Sequence, residues 1–326
     1  MSADMAVEAS EVTKSFGDHR VLRGLSLAVP RGTVFSLLGP NGAGKTTTVR
    51  ILATLARPDG GTVRVAGLDA LTSRRQVRRR ISLTGQYAAV DAAQTGAENL
   101  RMAGRLAGLS RAAARTRADE LLAQFGLTEA AGRRAGTYSG GMRRRLDLAA
   151  GLVSRPEVMF LDEPTTGLDL PGRQAVWQVI TELAGSGVTV FLTTQYLEEA
   201  DQLADRVAVL DGGQIVADDS PRHLKEQVGG RELELELADD ESFAAVLRLL
   251  GQRARRHDRA GLVIGAATDG EGAAVRALLD EIDPDRAAVR RFAVHEVSLD
   301  SVFLALTGRS GAPSTSVPQQ KESCHV

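Results

Sequence analysis

The eight residues Gly39-Pro40-Asn41-Gly42-Ala43-Gly44-Lys45-Thr46 constrain this chain more than any other stretch. They follow a short apolar run, Thr33–Leu38, that suits a buried strand, and they precede Thr46–Leu55, which reads as a helix. A glycine-rich turn in that setting bends so that backbone N–H groups point inward at phosphate oxygens, and the following helix adds the positive end of its dipole. Lys45 would then lie on the β and γ phosphates, while the Thr46 hydroxyl, with Thr47 beside it, reaches a divalent cation. Only four of the 40 basic residues are lysine, so a lysine at this one position carries information.

Such a turn requires an α/β domain around it, and the rest of the chain supplies one. Apolar strand candidates recur at Thr62–Val65, Val158–Leu161, Val188–Leu192 and Val207–Leu210, with helical segments at Arg111–Phe125, Gly141–Val153 and Arg173–Leu183. Buried strands alternating with helices indicate a mostly parallel sheet. The Ala-, Leu- and Arg-rich stretch from Asn99 to Gly136 lacks strand-forming runs, so a helical subdomain is expected over about residues 97–153 of a domain spanning 1–221. After Ser220-Pro221 the pattern changes. Strands at Glu232–Leu237, Leu262–Ala266 and Ala288–Val294 alternate with helices at Ser242–Leu250, Gly272–Ile282 and Asp300–Leu306. That order, βαβαβα, suits a small α+β domain over 222–309, followed by a tail, 310–326, poor in apolar residues and expected to be disordered.

Two further motifs belong to the same chemistry. Val158-Met159-Phe160-Leu161-Asp162-Glu163-Pro164 is an apolar strand ending in two carboxylates. At the carboxyl edge of a parallel sheet, Asp162 can hold Mg2+ and Glu163 can polarise the water that attacks a γ-phosphate. Tyr138-Ser139-Gly140-Gly141-Met142 opens a helix with a hydroxyl and two unobstructed N–H groups, a second anion cradle. One triphosphate needs one cradle within a domain, so the second suggests a nucleotide clamped between two copies of the chain.

Composition excludes several alternatives. With 43% hydrophobic and 25% charged residues the chain is not mainly disordered, and a formal net charge of −1 argues against a protein that coats nucleic acid. The runs Arg78–Arg80 and Arg143–Arg145 lack aromatic interleaving and read as surface and motif arginines, not as a nucleic-acid groove. The single cysteine, Cys324, beside His325, forms no internal disulfide and gives no zinc spacing, and His257 and His295 read as surface or packed residues. No run approaches 18 apolar residues, and Met1–Ser10 has no apolar signal core, so a cytoplasmic protein is expected, any membrane-spanning part being another chain.

Taken in order and spacing, Gly39–Thr46, Tyr138–Met142 and Leu161–Pro164 resemble the ATP-binding cassette (ABC) superfamily, over about Val7 to Pro221. The resemblance implies a P-loop ATPase fold, ATP and Mg2+, and a head-to-tail dimer with each ATP between Gly39–Thr47 of one copy and Ser139–Gly141 of the other. It implies that Phe16 stacks on adenine with Val21 beside it, that Gln86 senses Mg2+ and the attacking water and contacts a transporter subunit, and that Gly167-Leu168-Asp169 reaches the opposite copy. Gln195 stands where most such ATPases have histidine. Its amide can donate to a γ-phosphate oxygen but cannot titrate near neutral pH. The segments Leu83–Asp91, Tyr138–Asp147, Thr193–Asp201 and Leu299–Leu304 are together similar to the daunorubicin/doxorubicin-resistance ATPase group. That similarity implies the ATPase subunit of a drug exporter, peripheral on the cytoplasmic side of the membrane, with a separate permease. Export of a lipid or glycan, a soluble ATPase acting on nucleic acid or ribosomes, and sequestration of a drug with little turnover are the competing readings. The second of these is disfavoured because such relatives generally carry two cassettes, and this chain has one P-loop.

Overall fold

The computed structural model describes residues 4–86, 89–228, 231–296 and 298–307. The expected unstructured tail, with Cys324 and His325, lies outside the described residues. The chain divides into two compact units, Met1–Gln227 and Val228–Val326.

In the first unit six strands form a sheet in the order Gln214–Asp219, Arg206–Asp211, Val34–Leu38, Thr189–Thr194, Val158–Asp162, Ile81–Thr84. All neighbours are parallel except the first pair. The strands Val34–Leu38, Thr189–Thr194 and Val158–Asp162 are buried along their whole length, which is why they read as continuous apolar runs. Alternation sends their side chains to two cores. Phe35, Leu37, Phe160 and Phe191 meet Val49, Ile51 and Leu52 of the helix Lys45–Leu52 on one face. The Phe35 and Phe191 rings stack 5.3 Å apart. Val34, Met159, Leu161, Val190 and Leu192 meet the helices Gly140–Gly151 and Leu170–Gly185 on the other face, together with Leu100, Leu121 and Leu122 of the helical insertion, Gly96–Leu106 and Arg111–Gln124.

A second, antiparallel sheet covers the helix Lys45–Leu52, in the order His19–Pro30, Met5–Phe16, Gly60–Val65, Leu68–Asp69. The Thr62–Val65 run, one of the expected alternating strands, belongs to this sheet instead. The long hairpin Met5–Phe16/His19–Pro30 escapes sequence reading for a physical reason. Its register shifts at several points, and each bulge breaks the period-two alternation.

The second unit is a four-stranded antiparallel sheet in the order Ala254–Asp258, Val263–Thr268, Arg231–Leu237, Val289–Glu296. Leu233, Leu235 and Leu237 pack under the helices Asp240–Leu250 and Gly272–Ile282, while Glu234 and Glu236 of the same strand are half-exposed. A last helix spans Leu299–Thr307. The order is therefore βαββαβα, with one strand more than the expected βαβαβα. The added strand, Ala254–Asp258, has the sequence ARRHD and lies almost wholly exposed at the sheet edge, so it carries no apolar pattern to announce it.

Candidate active site

The carboxyl ends of three parallel strands converge. Leu38 pairs with Thr194, and Asp162 pairs with Thr193. This register brings the loop after Leu38, the carboxylates after Leu161 and the segment after Thr194 to one edge of the sheet, where an open α/β sheet binds its ligand. The loop glycines are demanded locally. Gly44 lies at φ 110°, and a Cβ there would stand 2.8 Å from Leu22 Cδ2, while a Cβ on Gly39 would stand 2.4 Å from the Leu210 carbonyl. Gly42 also has positive φ, and the Ala43 N–H donates to Pro40 O, closing the turn.

Lys45 folds back over this loop. Its Nζ donates to Gly39 O at 2.8 Å and to Pro40 O at 3.2 Å, and stands 3.4 Å from Glu163 Oε1. The side chain is only 4% exposed. Burial pushes its ammonium below the ordinary lysine value, and Glu163 and Asp162 draw it back up. A phosphate arriving in the loop would compete with the two carbonyls for a cation already aimed there.

Thr46 Oγ1 donates to Asp162 Oδ1 at 3.3 Å. A hydroxyl and a carboxylate oxygen this close are hard donors of the kind Mg2+ takes alongside nucleotide phosphates, so these residues fit the ion. Asp162 Oδ1 also accepts from Thr193 Oγ1 at 2.6 Å. The same Thr193 holds the next residue, for the Glu163 N–H donates both to Thr193 O and to Thr193 Oγ1, each at 3.1 Å. Glu163 has φ 48°, uncommon outside glycine, and these bonds hold it there. Its Oε2 accepts from Gln86 Nε2 and from Thr166 Oγ1, each at 3.4 Å. The structure thus brings Lys45, Thr46, Gln86, Asp162 and Glu163 together around one point. Gln195, half-buried, follows directly on the strand end whose Thr194 O accepts from the Gly39 N–H.

Ser139–Gly141 make their contacts elsewhere. Ser139 caps the helix Gly140–Gly151, its Oγ accepting from the Met142 N–H at 3.2 Å. A Cβ on Gly140 would meet Leu168 at 3.3 Å, and one on Gly141 would meet Gly172 at 3.1 Å, so close packing as well as an open cradle asks for glycine here. Asp169 caps Leu170–Gly185 by accepting from the Gly172 N–H. Phe16 is 55% exposed and is not a core contact, and Lys14 Nζ stands over its ring, 5.3 Å from the centroid.

Sequence reading missed Thr193, Thr166 and one arginine. Within the run Arg143–Arg145 the middle residue departs from the expected surface placement, while Arg143 is exposed and Arg145 half-buried. Arg143 donates to Gly136 O, Arg145 to Phe125 O, and Arg144 is 6% exposed. Arg78–Arg80 are all exposed, as expected, with Arg78 donating to Thr54 and Arg80 to Ala66 O. Glu199 is 1% exposed and accepts from Thr165 Oγ1 and from Nε1 of Trp177. Burial pushes its carboxyl above the usual range, and hydrogen bonds from Thr194, Thr165 and Trp177 pull it back.

A family model described as ABC transporter matches residues 22–166. The daunorubicin/doxorubicin resistance ATP-binding protein DrrA of Streptomyces peucetius is 51% identical over 306 residues, 93% of this chain and 92% of that protein. The Nod factor export ATP-binding protein I of Ralstonia nicotianae is 36% identical over 296 residues, 91% of this chain and 92% of its own. Among solved structures, an ATP-binding cassette in a dimeric post-hydrolysis state bound to ADP and Pi is similar at a TM-score of 0.59 and 25% identity, covering 66% of this chain and 98% of that one. The sequence likeness runs through both units and not the nucleotide domain alone, so the chain belongs to the ABC transporter family, as an ATP-binding and ATP-hydrolysing subunit.

Proposed function

We propose that this chain drives export of antibiotics of the daunorubicin/doxorubicin kind, working with a separate membrane permease at the cytoplasmic face of the membrane. The observation that carries the reading is 51% identity to a drug-resistance ATPase over 93% of the chain. Among the described residues no helix is long and apolar enough to cross a membrane, and the reading assigns the cargo path to the permease. In it, Lys45 and the N–H groups of the Gly39–Thr46 loop hold the β and γ phosphates, Phe16 stacks on the base, and Gln195 donates to a γ-phosphate oxygen. Thr46 and Asp162 would hold Mg2+, with Gln86 beside them. Bound there, the ion would help neutralise the charge on the phosphates. Glu163 accepts a proton from the attacking water as its oxygen bonds to the γ-phosphorus and the bond to the ADP oxygen breaks. Ser139–Gly141 of a second copy cap the same nucleotide from the other side, so hydrolysis loosens the seam and the two copies part. The loop around Gln86 and the helical insertion pass that motion to the permease.

The test is ATP-dependent doxorubicin uptake into inverted membrane vesicles holding the chain and its permease. Uptake lost in Glu163→Gln together with ATPase activity supports the reading. Full ATPase activity in that variant would remove Glu163 from its role, and ATPase activity without drug uptake would remove the cargo. The Nod factor export relative favours a second reading, export of a glycan or lipid, for which a lipo-oligosaccharide in the same vesicles is the comparison.

A further inference from the structure

The helix Gly140–Gly151 carries the Ser139 cap at its start. One turn further on it carries a buried ion pair. Arg144 Nε donates to Pro164 O at 2.7 Å, and its Nη1 donates to Gly85 O at 2.7 Å and to Asp147 Oδ2 at 3.3 Å. Asp147, 5% exposed, accepts the Ala89 N–H on Oδ1 at 3.0 Å. Pro164 immediately follows Glu163, and Gly85 immediately precedes Gln86. One guanidinium therefore holds the two loops whose side chains, Gln86 Nε2 and Glu163 Oε2, stand 3.4 Å apart. Asp147 holds the first loop again on the far side of Gln86.

We propose that Arg144 and Asp147 are positioning residues for hydrolysis, which fix Gln86 against Glu163 by tethering the backbone on either side of them. The inference rests on the reading of Glu163 and Gln86 as the groups that handle the attacking water. A guanidinium suits the task because its nitrogens lie in one rigid plane. The separation of the two carbonyls it holds is set by covalent geometry, not by a flexible chain. Lysine would keep the charge but offer its donors from a single atom on a flexible stem, so no rigid plane would fix the separation of the two carbonyls. A buried charge pair is a poor way to gain stability, since its desolvation offsets most of its attraction. It is a good way to fix two backbone segments at one distance, and neither residue touches the loop Gly39–Thr46 in the bonds they form. The pair should therefore act on turnover and leave nucleotide binding alone.

A double-mutant cycle separates this role from a merely structural one. The full chain is assayed with its permease in membrane vesicles, and its nucleotide affinity is read with a fluorescent trinitrophenyl ATP analogue. Arg144→Lys should lower kcat about tenfold or more while KM for ATP and affinity for the analogue stay within about twofold. In a Gln86→Ala background the same substitution should change kcat less than about twofold, because the group it positions is already gone. Wild-type kcat in Arg144→Lys, an equal loss in both backgrounds, or affinity falling in step with kcat overturns the proposal. Should Arg144→Lys fail to fold, Asp147→Ala, which leaves the guanidinium its two carbonyls, is taken through the same cycle with the same expected outcomes, and unchanged kcat there overturns the proposal equally. The two readings fail separately. An active Glu163→Gln defeats the water-handling assignment, whereas a dead Glu163→Gln beside a fully active Arg144→Lys defeats only the tether.

Discussion

Replacing Thr193 by valine tests the hinge between the two carboxylates. The side chain is fully buried, and valine fills nearly the same volume, so the change removes a hydroxyl and little packing. Two bonds involve that hydroxyl. The one it accepts from the Glu163 N–H is backed by the Thr193 carbonyl at 3.1 Å, so that donor stays satisfied. The one it donates to Asp162 Oδ1, at 2.6 Å, is a bond to a carboxylate, of a class that contributes about 1.5–3 kcal/mol. Thr46 Oγ1, at 3.3 Å from the same oxygen, softens the loss, which places the cost near 2 kcal/mol. For a unit of this size that lowers the thermal midpoint by about 4–8 °C. Thr193→Ser, which keeps the hydroxyl, should lie clearly above Thr193→Val. Scanning calorimetry of the nucleotide-free chain reads both. ATPase assays should show kcat falling in Thr193→Val, since Asp162 and Glu163 lose the atom that joins them. A midpoint within about 1 °C of wild type with unchanged kcat would refute the claim that this oxygen organises the site.

Gly44→Ala should weaken binding of the trinitrophenyl ATP analogue by at least about tenfold, because φ 110° and a Cβ 2.8 Å from Leu22 Cδ2 force the loop to move; fluorescence titration checks it. Glu199→Gln should raise the thermal midpoint near pH 8 and change it little near pH 5. Burial raises this carboxyl in the folded chain, so the native state holds the proton more tightly than the unfolded state, and stability falls as pH rises from the unfolded value through the folded one. The neutral amide removes that loss, and midpoints measured across the pH range would contradict the sign if the variant were less stable at high pH. Gln195→His should add to the ATPase pH profile an ionisation between about pH 6 and 7; superimposable profiles would place residue 195 away from the γ-phosphate.

What the sequence shows depends on how local each feature is. The loop Gly39–Thr46 and the pair Asp162-Glu163 are legible because each is one contiguous stretch whose function requires particular residue types. The continuous apolar runs around Phe35, Phe160 and Phe191 are legible because those strands are covered on both faces. The bonds that hold the carboxylates are not legible. Thr193 stands 31 residues from Asp162, and only the parallel register of two strands makes them neighbours. Arg144 hides for the opposite reason. Flanked by Arg143 and Arg145, it looks like part of a solvated run, and helical geometry alone turns it inward while its neighbours reach over the surface to Gly136 and Phe125. The Arg144–Asp147 spacing of three residues was the available signal, since it sets a cation and an anion on one helix face.

The helix Gly140–Gly151 joins two duties that the sequence shows only separately. Its first turn offers Ser139 and two glycines, which in the proposed dimer face the nucleotide of the second copy. Its next turn offers Arg144, which holds the loops of Gln86 and Glu163 belonging to its own chain. Arg144 stands five residues beyond Ser139, a rise of about 7.5 Å along a rod held by its own hydrogen bonds. The cap is also wedged, since Gly140 and Gly141 leave no room toward Leu168 and Gly172. A load placed on Ser139 therefore has little slack to absorb it before it reaches the guanidinium. If Gln86 and Glu163 handle the attacking water as proposed, closure over one nucleotide would bear on them at the other, and the two sites of the proposed dimer would be coupled through this short stretch of helix.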